Sequence, residues 1–368
     1  MTTPADDRLV ARSLELIRAH QAPSGGYFAS PTFPTYRYSW FRDGAFIADA
    51  MSRWGEIDSA ESFFGWCGRI LEERRERVLE LVAASEQGGG GNVGEHEHLH
   101  TRYTVDGEET GERWENFQLD GYGAWLWALD AHSRRHGRDP ARYLPGAELS
   151  VRYLVAYWDQ PCYDWWEEHR EHRHPSSLAA VQAGLVAAAS WDPMPADVRN
   201  EAARAAKEIE VAVRRDGIVA GRLTKWFGNV ALDASLIACA TPFRLLPPTD
   251  PVMTATVDGI ERELTRGGVY RYLADTFYGG GEWVLLAGLL GWYHAEIGAV
   301  ERARRLQAWI EAQADAEGNL PEQVDTNLLY PDRKADWDRR WGPSARPLLW
   351  SHAMYLTLRH AIDAGQTS

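Results

Sequence analysis

Apolar residues recur every three to four positions in segment after segment of the chain, separated by polar and glycine-rich stretches. This spacing puts apolar side chains on one face of an α-helix, so it predicts about a dozen helices. The predicted helices cover residues 7–20, 43–54, 58–84, 119–136, 147–158, 176–191, 196–214, 228–240, 251–265, 280–296, 298–315 and 346–363. Alternation typical of β-strands is confined to short stretches such as 101–105 and 219–223. The pattern therefore predicts a nearly all-α protein.

Long connections rich in Trp, Tyr, Gly and charged residues separate the predicted helices. They cover residues 22–42, 85–118, 159–175, 266–279 and 316–345. Connections of this length in a compact domain usually carry function. Because they alternate with pairs of helices, we predict an (α/α)6 barrel, a closed ring of six helical hairpins whose long loops form a pocket at one end. Neither the glycine-rich run at 88–92 nor the proline-rich run at 247–251 interrupts the helical pattern, so a single domain over residues 1–368 is expected.

Charge and cysteine content narrow the functional classes. The 53 acidic and 39 basic residues give a net charge of −14, which repels nucleic-acid phosphates and anionic lipids. The chain has no apolar run of about 18 residues, and its N-terminus lacks the basic and apolar segments of a secretory signal. Cys67, Cys162 and Cys239 are far apart and lack metal-ligand spacing, which fits a reducing compartment. We therefore expect a cytoplasmic protein with no nucleic-acid or membrane partner.

Two glutamates stand among aromatic or rigid neighbours in a chain with 17 Trp and 15 Tyr. Glu167 follows Trp165 and Trp166, and Glu322 lies in the sequence Leu-Pro-Glu-Gln at 320–323. Glycoside hydrolysis needs one carboxylic acid and one carboxylate, and sugar rings rest their C–H faces on aromatic side chains. Apolar neighbours would raise the pKa of Glu167 and keep it protonated. The competing interpretation is that both glutamates cap or solvate helices, as most do in an acidic chain.

An Arg–Asp pair and further aromatic residues accompany these glutamates. Asp43 is expected to cap a helix while Arg42 points into the mouth of a cavity, where the pair could hold neighbouring sugar hydroxyls. Trp114 could stack on a sugar, and Asp120 could begin the next helix. A structural salt bridge, a core Trp and a capping Asp are equally simple explanations of these residues.

A segment that contains Arg271 and Asp275 ends in three glycines at 279–281, which would let the backbone approach a ligand closely. The segment lacks the strand that precedes a nucleotide-binding loop, so the sequence favours a sugar over a phosphate as its ligand. Histidines cluster at 95–100 and 169–174, but neither cluster has the His-Glu-x-x-His spacing of zinc hydrolases. We therefore predict no metal and no cofactor.

Taken in chain order, these motifs resemble those of the glucoamylase family, glycoside hydrolase family 15. They are Tyr-x-Tyr-x-Trp-x-Arg-Asp at 36–43, Tyr-x-Val-Asp at 103–106 with a following Trp, Asp-x-Trp-Glu-Glu at 164–168, Arg-Tyr-x-x-Asp-Thr at 271–276, Pro-Glu-Gln at 321–323 and Leu-Trp-Ser-His at 349–352. Each motif alone is weak, but their common order through most of the chain is specific. The resemblance implies an (α/α)6 barrel that hydrolyses α-glucosides with inversion at the anomeric carbon.

The resemblance also implies roles for individual residues. Glu167 matches the general acid and Glu322 the general base that activates water. Tyr36 matches a tyrosine beside that base and its water, with Tyr38 as the competing alignment. The residues implied in substrate binding are Trp40, Arg42, Asp43, Trp114, Trp165, Trp166, Glu168, Arg271, Trp283 and Trp350. Many members have a second tyrosine where this chain has Phe277, so a hydroxyl that would orient the tyrosine beside the base is expected to be absent.

Among the family, the chain most resembles a compact intracellular isomaltose glucohydrolase, because it has no room for a carbohydrate-binding module or an N-terminal β-sandwich. We therefore expect a monomeric, single-domain enzyme that releases β-glucose from the non-reducing end of isomaltose or short α-1,6-linked oligosaccharides. A trehalase or a maltose-cleaving glucoamylase on the same barrel is the first alternative. A non-hydrolytic sugar-binding protein and an (α/α)6 sugar isomerase or epimerase are further alternatives. Inversion predicts a gap of about 6.5–9.5 Å between the two carboxyl groups.

Overall fold

The structure, a computed structural model, describes residues 4–87, 94 and 97–365. Over these residues it contains thirteen α-helices, seven two-residue β-strands and several short 3₁₀-helices. The α-helices are α1 Pro4–Ala19, α2 Phe41–Arg53, α3 Ile57–Glu73, α4 Arg75–Glu86, α5 Asp120–His136, α6 Leu144–Tyr157, α7 Pro175–Ala189, α8 Ala196–Asp216, α9 Pro251–Glu263, α10 Val284–Glu296, α11 Val300–Glu311, α12 Pro331–Trp341 and α13 Leu349–Gly365. The glycine-rich run at 88–92 and His96 of the first histidine cluster lie outside the described residues.

Six elements form a closed inner ring at the centre of the molecule. In order they are α2, α5, α7, a 3₁₀-helix at Ala234–Cys239, α10 and α13, each packed against the next. The ring closes because α13 packs against α2. Helices α1, α3, α6, α8, α9 and α11 pack around the outside of this ring. The predicted (α/α)6 barrel is therefore confirmed.

Burial along each helix explains which ring it occupies. Most residues of α7 and α10 are buried, whereas α8 and α11 bury only a stripe along one face. A helix that is apolar on all sides lies inside a protein, and an amphipathic helix lies at its surface. Gly123 of α5 and Gly184 of α7 bring these inner helices into backbone contact, because a Cβ on Gly123 would lie 2.3 Å from the carbonyl oxygen of Ala180. Within the described ranges, no helix has the length and apolar character needed to cross a membrane.

The helix predicted at 58–84 is divided into α3 and α4 at Arg74. The guanidinium of Arg74 donates to the carbonyl of Ile70 at 3.1 Å and to that of Gly107 at 2.9 Å. In a continuous helix the carbonyl of Ile70 would accept a hydrogen bond from the backbone amide of Arg74. Here it accepts one from the Arg74 side chain instead. The prediction of one continuous helix was wrong. The contact that divides it joins Arg74 to Gly107, and the spacing of apolar residues does not reveal a contact between positions so far apart.

Residues 228–240 contain only the 3₁₀-helix Ala234–Cys239 instead of the predicted α-helix. The side chain of Asn229 accepts hydrogen bonds from the two backbone amides that follow it, which holds a turn in place of the first helical residues. Asp233 then caps the 3₁₀-helix by accepting a bond from the amide two residues on. One position of the inner ring is therefore occupied by a helix of only six residues.

The connection predicted over 316–345 contains α12, which the sequence analysis missed. Pro331 at its first position is typical of a helix N-terminus. Charged residues dominate the rest of its sequence, and none of its residues is buried. The apolar spacing that reveals the other helices is therefore absent from α12.

Short strands tie the long connections together at one end of the barrel. They are β1 Ser39–Trp40, β2 Arg102–Tyr103, β3 Ile218–Val219, β4 Arg222–Leu223, β5 Val269–Tyr270, β6 Glu282–Trp283 and β7 Gln323–Val324. β1 pairs with β2, β3 pairs with β4, and β5, β6 and β7 form a three-stranded sheet, with all pairs antiparallel. Because β1 leads directly into α2 and β6 into α10, these strands lie at the end of the ring where the inner helices begin.

Candidate active site

A cavity of about 290 Å³ opens at this end of the ring. This volume is at the lower end of the range typical of small-molecule sites, so the cavity suits a small ligand. All thirteen residues predicted for the site line it, namely Tyr36, Trp40, Arg42, Asp43, Trp114, Trp165, Trp166, Glu167, Glu168, Arg271, Trp283, Glu322 and Trp350. Its remaining lining residues are Ala29, Glu115, Phe277, Leu285, Trp337 and Leu348. The structure therefore brings together residues spread over more than three hundred positions of the chain.

Glu167 lies in a tight loop that Asp164 holds together. The Asp164 carboxylate accepts hydrogen bonds from the amide of Trp166 at 2.9 Å and from that of Glu168 at 3.0 Å. The carbonyl of Asp164 accepts a third from the amide of Glu167 at 3.0 Å. Glu167 adopts a left-handed backbone with φ of +65°, a conformation that costs a non-glycine residue about 1–3 kcal/mol. The surrounding bonds stabilise this conformation and so orient the Glu167 side chain.

A buried lysine supports the same loop from behind. Lys225 Nζ lies 3.0 Å from Asp164 Oδ2 and 2.6 Å from Asp233 Oδ2, and all three side chains are buried. Asp233 Oδ2 also accepts a hydrogen bond from Trp166 Nε1 at 2.9 Å. Sequence reasoning missed Lys225 and Asp233 because neither belongs to a recognised motif, and only the fold brings them to Asp164.

The carboxylate of Glu167 is placed between an indole and a guanidinium. Its Oε1 accepts a hydrogen bond from Trp40 Nε1 at 2.8 Å and lies 3.7 Å from Arg42 Nη2. Burial raises the pKa of Glu167, and the positive charge of Arg42 and the bond from Trp40 offset part of this shift. A carboxyl group in such surroundings retains its proton at a higher pH than an exposed one. The direction of the shift agrees with the expectation from its aromatic neighbours.

Glu322 lies just before β7 and has different partners. Its Oε1 accepts a hydrogen bond from the hydroxyl of Tyr36 at 2.9 Å, and its Oε2 is buried with no hydrogen-bond partner among the described residues. Burial raises the pKa of Glu322 to about 7, although the bond from Tyr36 and the charge of Arg271 oppose the shift. Burial and the neighbouring Glu322 also raise the pKa of Tyr36 well above its usual value, so the phenol stays protonated. Tyr38, the competing alignment, instead donates to Glu112 at 3.3 Å.

Arg42 is buried at the inner end of the cavity. Its guanidinium donates to Gln118 Oε1 at 2.8 Å and to Asp120 Oδ2 at 3.0 Å, and lies 3.8 Å from Asp43 Oδ2. Burial raises the pKa of Asp43 to about 7, and Arg42 opposes the shift. Asp120 begins α5, as predicted, and also forms a buried salt bridge with Arg42. Arg42 thus has the structural partner that the competing interpretation expected and also lines the cavity.

The prediction that Asp43 caps a helix is wrong. α2 begins at Phe41, with Trp40 at the N-cap position and no side chain bonded there. Trp40 belongs to β1, so the helix begins as soon as the strand ends. Asp43 therefore lies inside the first turn, where a negative charge interacts favourably with the helix dipole.

Arg271 provides a second buried guanidinium. It donates to Asp275 through Nε at 2.7 Å and through Nη2 at 2.5 Å, and Nη2 lies 3.5 Å from Glu168 Oε1. The other oxygen of Glu168 accepts a hydrogen bond from the hydroxyl of Tyr272. These bonds fix Arg271 and Glu168 relative to each other on one side of the cavity.

Aromatic rings form the walls and floor of the cavity. Trp40 and Trp114 have ring centroids 6.1 Å apart, and the guanidinium of Arg102 lies 3.5 Å from the centroid of Trp114. Trp165 and Trp350 pack 5.8 Å apart. Trp166 and Trp283, 5.6 Å apart, form the wall beside Arg271. Trp114 is half-buried and lines the cavity, so it is not the core Trp of the competing interpretation.

The three glycines at 279–281 approach protein backbone rather than the cavity, contrary to the prediction. A Cβ on Gly281 would lie 2.4 Å from the carbonyl oxygen of Val324, and one on Gly280 would lie 2.3 Å from that of Asp275. None of the three glycines lines the cavity. They allow the turn before β6 to pack tightly against the segment that carries Glu322.

The described histidines of both clusters contribute to packing. His98 stacks on Phe117 with ring centroids 3.7 Å apart, and its Nδ1 lies 3.1 Å from the hydroxyl oxygen of Tyr153. His172 stacks on Trp226 at 4.3 Å. Among the residues that the structure describes, no group of three or more His, Cys, Asp or Glu is arranged to hold a metal ion.

Comparisons with known proteins agree with this geometry. The model of glycosyl hydrolases family 15 matches residues 4–360. The chain is 47% identical to the isomaltose glucohydrolase of Kribbella flavida over 354 residues, which cover 95% of this chain and 91% of that protein. A glutamate-to-alanine variant of a glycosidase, solved in complex with glucose, matches with a TM-score of 0.94 and 44% identity over 98% of this chain and 97% of its own.

A more distant structure supports the fold. A bacterial glucoamylase complexed with acarbose matches with a TM-score of 0.74 at 18% identity, over 99% of this chain and 57% of its own. With a family model that spans nearly the whole sequence and a closely similar relative of nearly equal length, this chain belongs to glycosyl hydrolases family 15 and is a glycoside hydrolase.

Proposed function

We propose that this enzyme is an inverting, exo-acting α-glucosidase that releases β-glucose from the non-reducing end of isomaltose or short α-1,6-linked gluco-oligosaccharides. The observation that carries the proposal is one cavity in which Glu167 and Glu322 have separate and different hydrogen-bond partners. The identity of 47% to a protein named isomaltose glucohydrolase supports the choice of linkage.

Glu167 is the general acid in this proposal. It gives its proton to the glycosidic oxygen as the bond to the anomeric carbon breaks. The pKa raised by burial keeps the proton available, and Trp40 Nε1 fixes the carboxyl group in position. Once the proton has left, the nearby guanidinium of Arg42 stabilises the carboxylate.

Glu322 is the general base that activates the attacking water. When Glu322 is ionised, its Oε2 takes a proton from that water. This oxygen has no hydrogen-bond partner among the described residues, so it is available to the water. The hydroxyl of Tyr36 holds Oε1 and so leaves Oε2 free to face the water. An attack from the face opposite the leaving oxygen inverts the anomeric carbon. It needs room for a water molecule, so we predict a gap of about 6.5–9.5 Å between the two carboxyl groups.

The buried guanidinium groups and Asp43 hold the terminal glucose. Arg42 and Arg271 offer donors to its hydroxyl groups, and Asp43 offers an acceptor. Trp166, Trp283 and the other buried tryptophans of the lining provide apolar surface for its C–H faces. A small cavity that buries the guanidinium groups of Arg42 and Arg271 has room for one chain terminus, so hydrolysis proceeds from the end of the oligosaccharide.

The anomer and the rate of glucose release from a panel of disaccharides test this proposal. We expect proton NMR to detect β-glucose first, and isomaltose to be hydrolysed faster than maltose or trehalose. Initial release of α-glucose would contradict inversion. A clear preference for trehalose or for maltose would contradict the proposed linkage while leaving the hydrolase assignment in place.

The same assay separates the other classes of protein considered above. A sugar-binding protein would bind glucose and hydrolyse none of the disaccharides. An isomerase or epimerase would incorporate solvent deuterium into a reducing sugar. The presence of both Glu167 and Glu322 in the cavity favours hydrolysis over either alternative.

We further propose that residues 1–368 act as one catalytic domain, as a monomer in the cytoplasm. The packing of α13 against α2, which joins the two halves of the ring, supports a single domain. The free thiols of Cys67, Cys162 and Cys239 fit a reducing compartment. Light scattering coupled to size exclusion tests the monomer, and a mass near twice 41.5 kDa would contradict it.

A further inference from the structure

Helix α12 forms a part of the cavity wall that binding of the terminal glucose does not explain. None of its eleven residues is buried, and seven of them are charged, so the helix adds little to the hydrophobic core. Trp337 in the middle of this helix nevertheless lines the cavity. The helix therefore contributes an aromatic ring to the cavity wall and little to the core.

Trp337 continues a row of aromatic rings that leads out of the cavity. Trp166 and Trp283, at the buried end of the row, are only 8% and 5% exposed. The ring centroid of Phe277 lies 6.2 Å from that of Trp283, and the centroid of Trp337 lies 4.8 Å from that of Phe277. Both Phe277 and Trp337 are half-buried. The row therefore runs from the buried side of Arg271 to the partly exposed rim.

Contacts at both ends of α12 hold Trp337 in place. The amide of Tyr330, just before the helix, donates to the carbonyl of Gly279 at 2.8 Å. The hydroxyl of Tyr278 donates to the carbonyl of Gly342, just after the helix, at 2.9 Å. The ring of Tyr278 also stacks on Trp337 with centroids 5.7 Å apart. The Trp337 ring is thus positioned by its surroundings before any ligand binds.

We propose that Trp337 is the platform for the sugar on the leaving side of the scissile bond. This inference rests on the proposed function, in which the buried Arg42 and Arg271 take the terminal glucose. The second ring of a disaccharide then lies towards the rim, where Trp337 and Trp114 are the half-buried tryptophans of the lining. The face of an indole offers apolar surface to the C–H face of a pyranose. Trp337 therefore determines how well the enzyme uses a sugar as its leaving group.

A comparison of two substrates tests the role of Trp337. The first substrate is whichever of isomaltose, maltose and trehalose the wild-type enzyme hydrolyses fastest, and the second is α-glucosyl fluoride, whose leaving group is a single atom. For Trp337→Ala we expect kcat/KM on the disaccharide to fall about tenfold, because the sugar platform is lost. Hydrolysis of α-glucosyl fluoride should stay within about twofold of wild type, since fluoride does not reach α12.

Two further variants serve as controls. Trp341→Ala removes a tryptophan from the same helix that is 41% exposed and does not line the cavity, so both substrates should react as in the wild type. Trp337→Phe keeps an aromatic face and should retain most of the activity on the disaccharide. The melting temperatures of the three variants show whether α12 and the barrel are intact.

The outcomes separate this inference from the proposed function. The inference is wrong if Trp337→Ala lowers hydrolysis of both substrates equally, or lowers neither. A wild-type enzyme that prefers maltose or trehalose refutes the proposed linkage but leaves the test of Trp337 unchanged. A wild-type enzyme that cleaves α-glucosyl fluoride and none of the three disaccharides refutes both the proposed substrates and the leaving-sugar platform.

Discussion

At the scale of single residues, burial shifts the pKa values of Glu167 and Glu322 in the same direction, but the groups beside the two carboxylates differ. Burial raises the pKa of both carboxyl groups. Glu167 lies beside the positive charge of Arg42, whereas Glu322 is bonded by the neutral phenol of Tyr36. In the proposed reaction Glu167 must be protonated and Glu322 ionised, so the pH dependence of activity reports the two groups together.

Replacement of Glu322 by Ala should lower kcat by about 10²–10⁴-fold, because in the proposed reaction the attacking water loses its base. The fold should remain intact, since the amide of Glu322 keeps its bond to the carbonyl of Ala345 at 2.9 Å. Glucose release from isomaltose measures the loss, and thermal unfolding checks the fold. Glu317→Ala, at an exposed position five residues earlier, is the matched control. Near-normal activity of Glu322→Ala would refute the assignment of the base.

Replacement of Tyr36 by Phe should move the acidic limb of the pH profile of kcat/KM to higher pH. In the proposed reaction this limb reflects ionisation of Glu322, whose pKa of about 7 would be higher still without the hydrogen bond from Tyr36. Activity should therefore be lost as the pH falls through about 7 in the wild type and at a higher pH in the variant. Tyr38→Phe, which removes a hydroxyl bonded to Glu112, should leave the limb unchanged. Identical profiles for Tyr36→Phe and wild type would contradict this role.

At the scale of secondary-structure elements, the inner ring depends on close contact between helices and on one buried ionic cluster. α5 and α7 touch through glycines, so neither helix accepts a side chain at the contact. The loop that carries Glu167 is joined through Lys225 to the residue that caps the short 3₁₀-helix of the ring. Both features position the cavity without forming its surface.

Two glycine-to-alanine substitutions should have opposite effects on stability. Gly123→Ala places a Cβ against the backbone of α7 and should lower the free energy of unfolding by about 1–3 kcal/mol. Gly65→Ala lies inside α3, where the new Cβ would meet no atom within 4 Å apart from its chain neighbours and its own helix backbone, and should raise it by about 0.5–1 kcal/mol. Urea denaturation of both variants measures the difference. A stabilising effect of Gly123→Ala would show that the helices separate at little cost.

Replacement of Lys225 by Met should lower the free energy of unfolding by about 3–5 kcal/mol, because it leaves Asp164 and Asp233 buried without their counter-charge. Lys207→Met removes an exposed lysine from a surface ion pair and should change stability by less than about 0.5 kcal/mol. Denaturant titrations at neutral pH measure both values. A loss below about 1 kcal/mol for Lys225→Met would mean that the two aspartates find other partners.

At the scale of the whole molecule, the sequence predicted those helices and site residues that a short stretch of chain is enough to specify. Most of the inner and outer helices follow from apolar spacing, and Arg42, Glu167 and Glu322 lie within motifs of a few residues. Lys225 could not be predicted as a partner of Asp164, because only the fold brings these distant residues together. Trp337 was missed because its helix is held by contacts to a turn and not by an apolar face of its own.

The closure of the ring between α2 and α13 has a consequence for biosynthesis. α2 supplies Arg42 to the cavity, and α13, the last helix described, supplies Trp350. Contacts between distant parts of the chain form slowly, because the entropy of closing a long loop must be lost first. A polypeptide that still lacks its last helix therefore has no complete cavity, however well its earlier hairpins have folded. We therefore expect a chain truncated before α13 to hydrolyse no substrate.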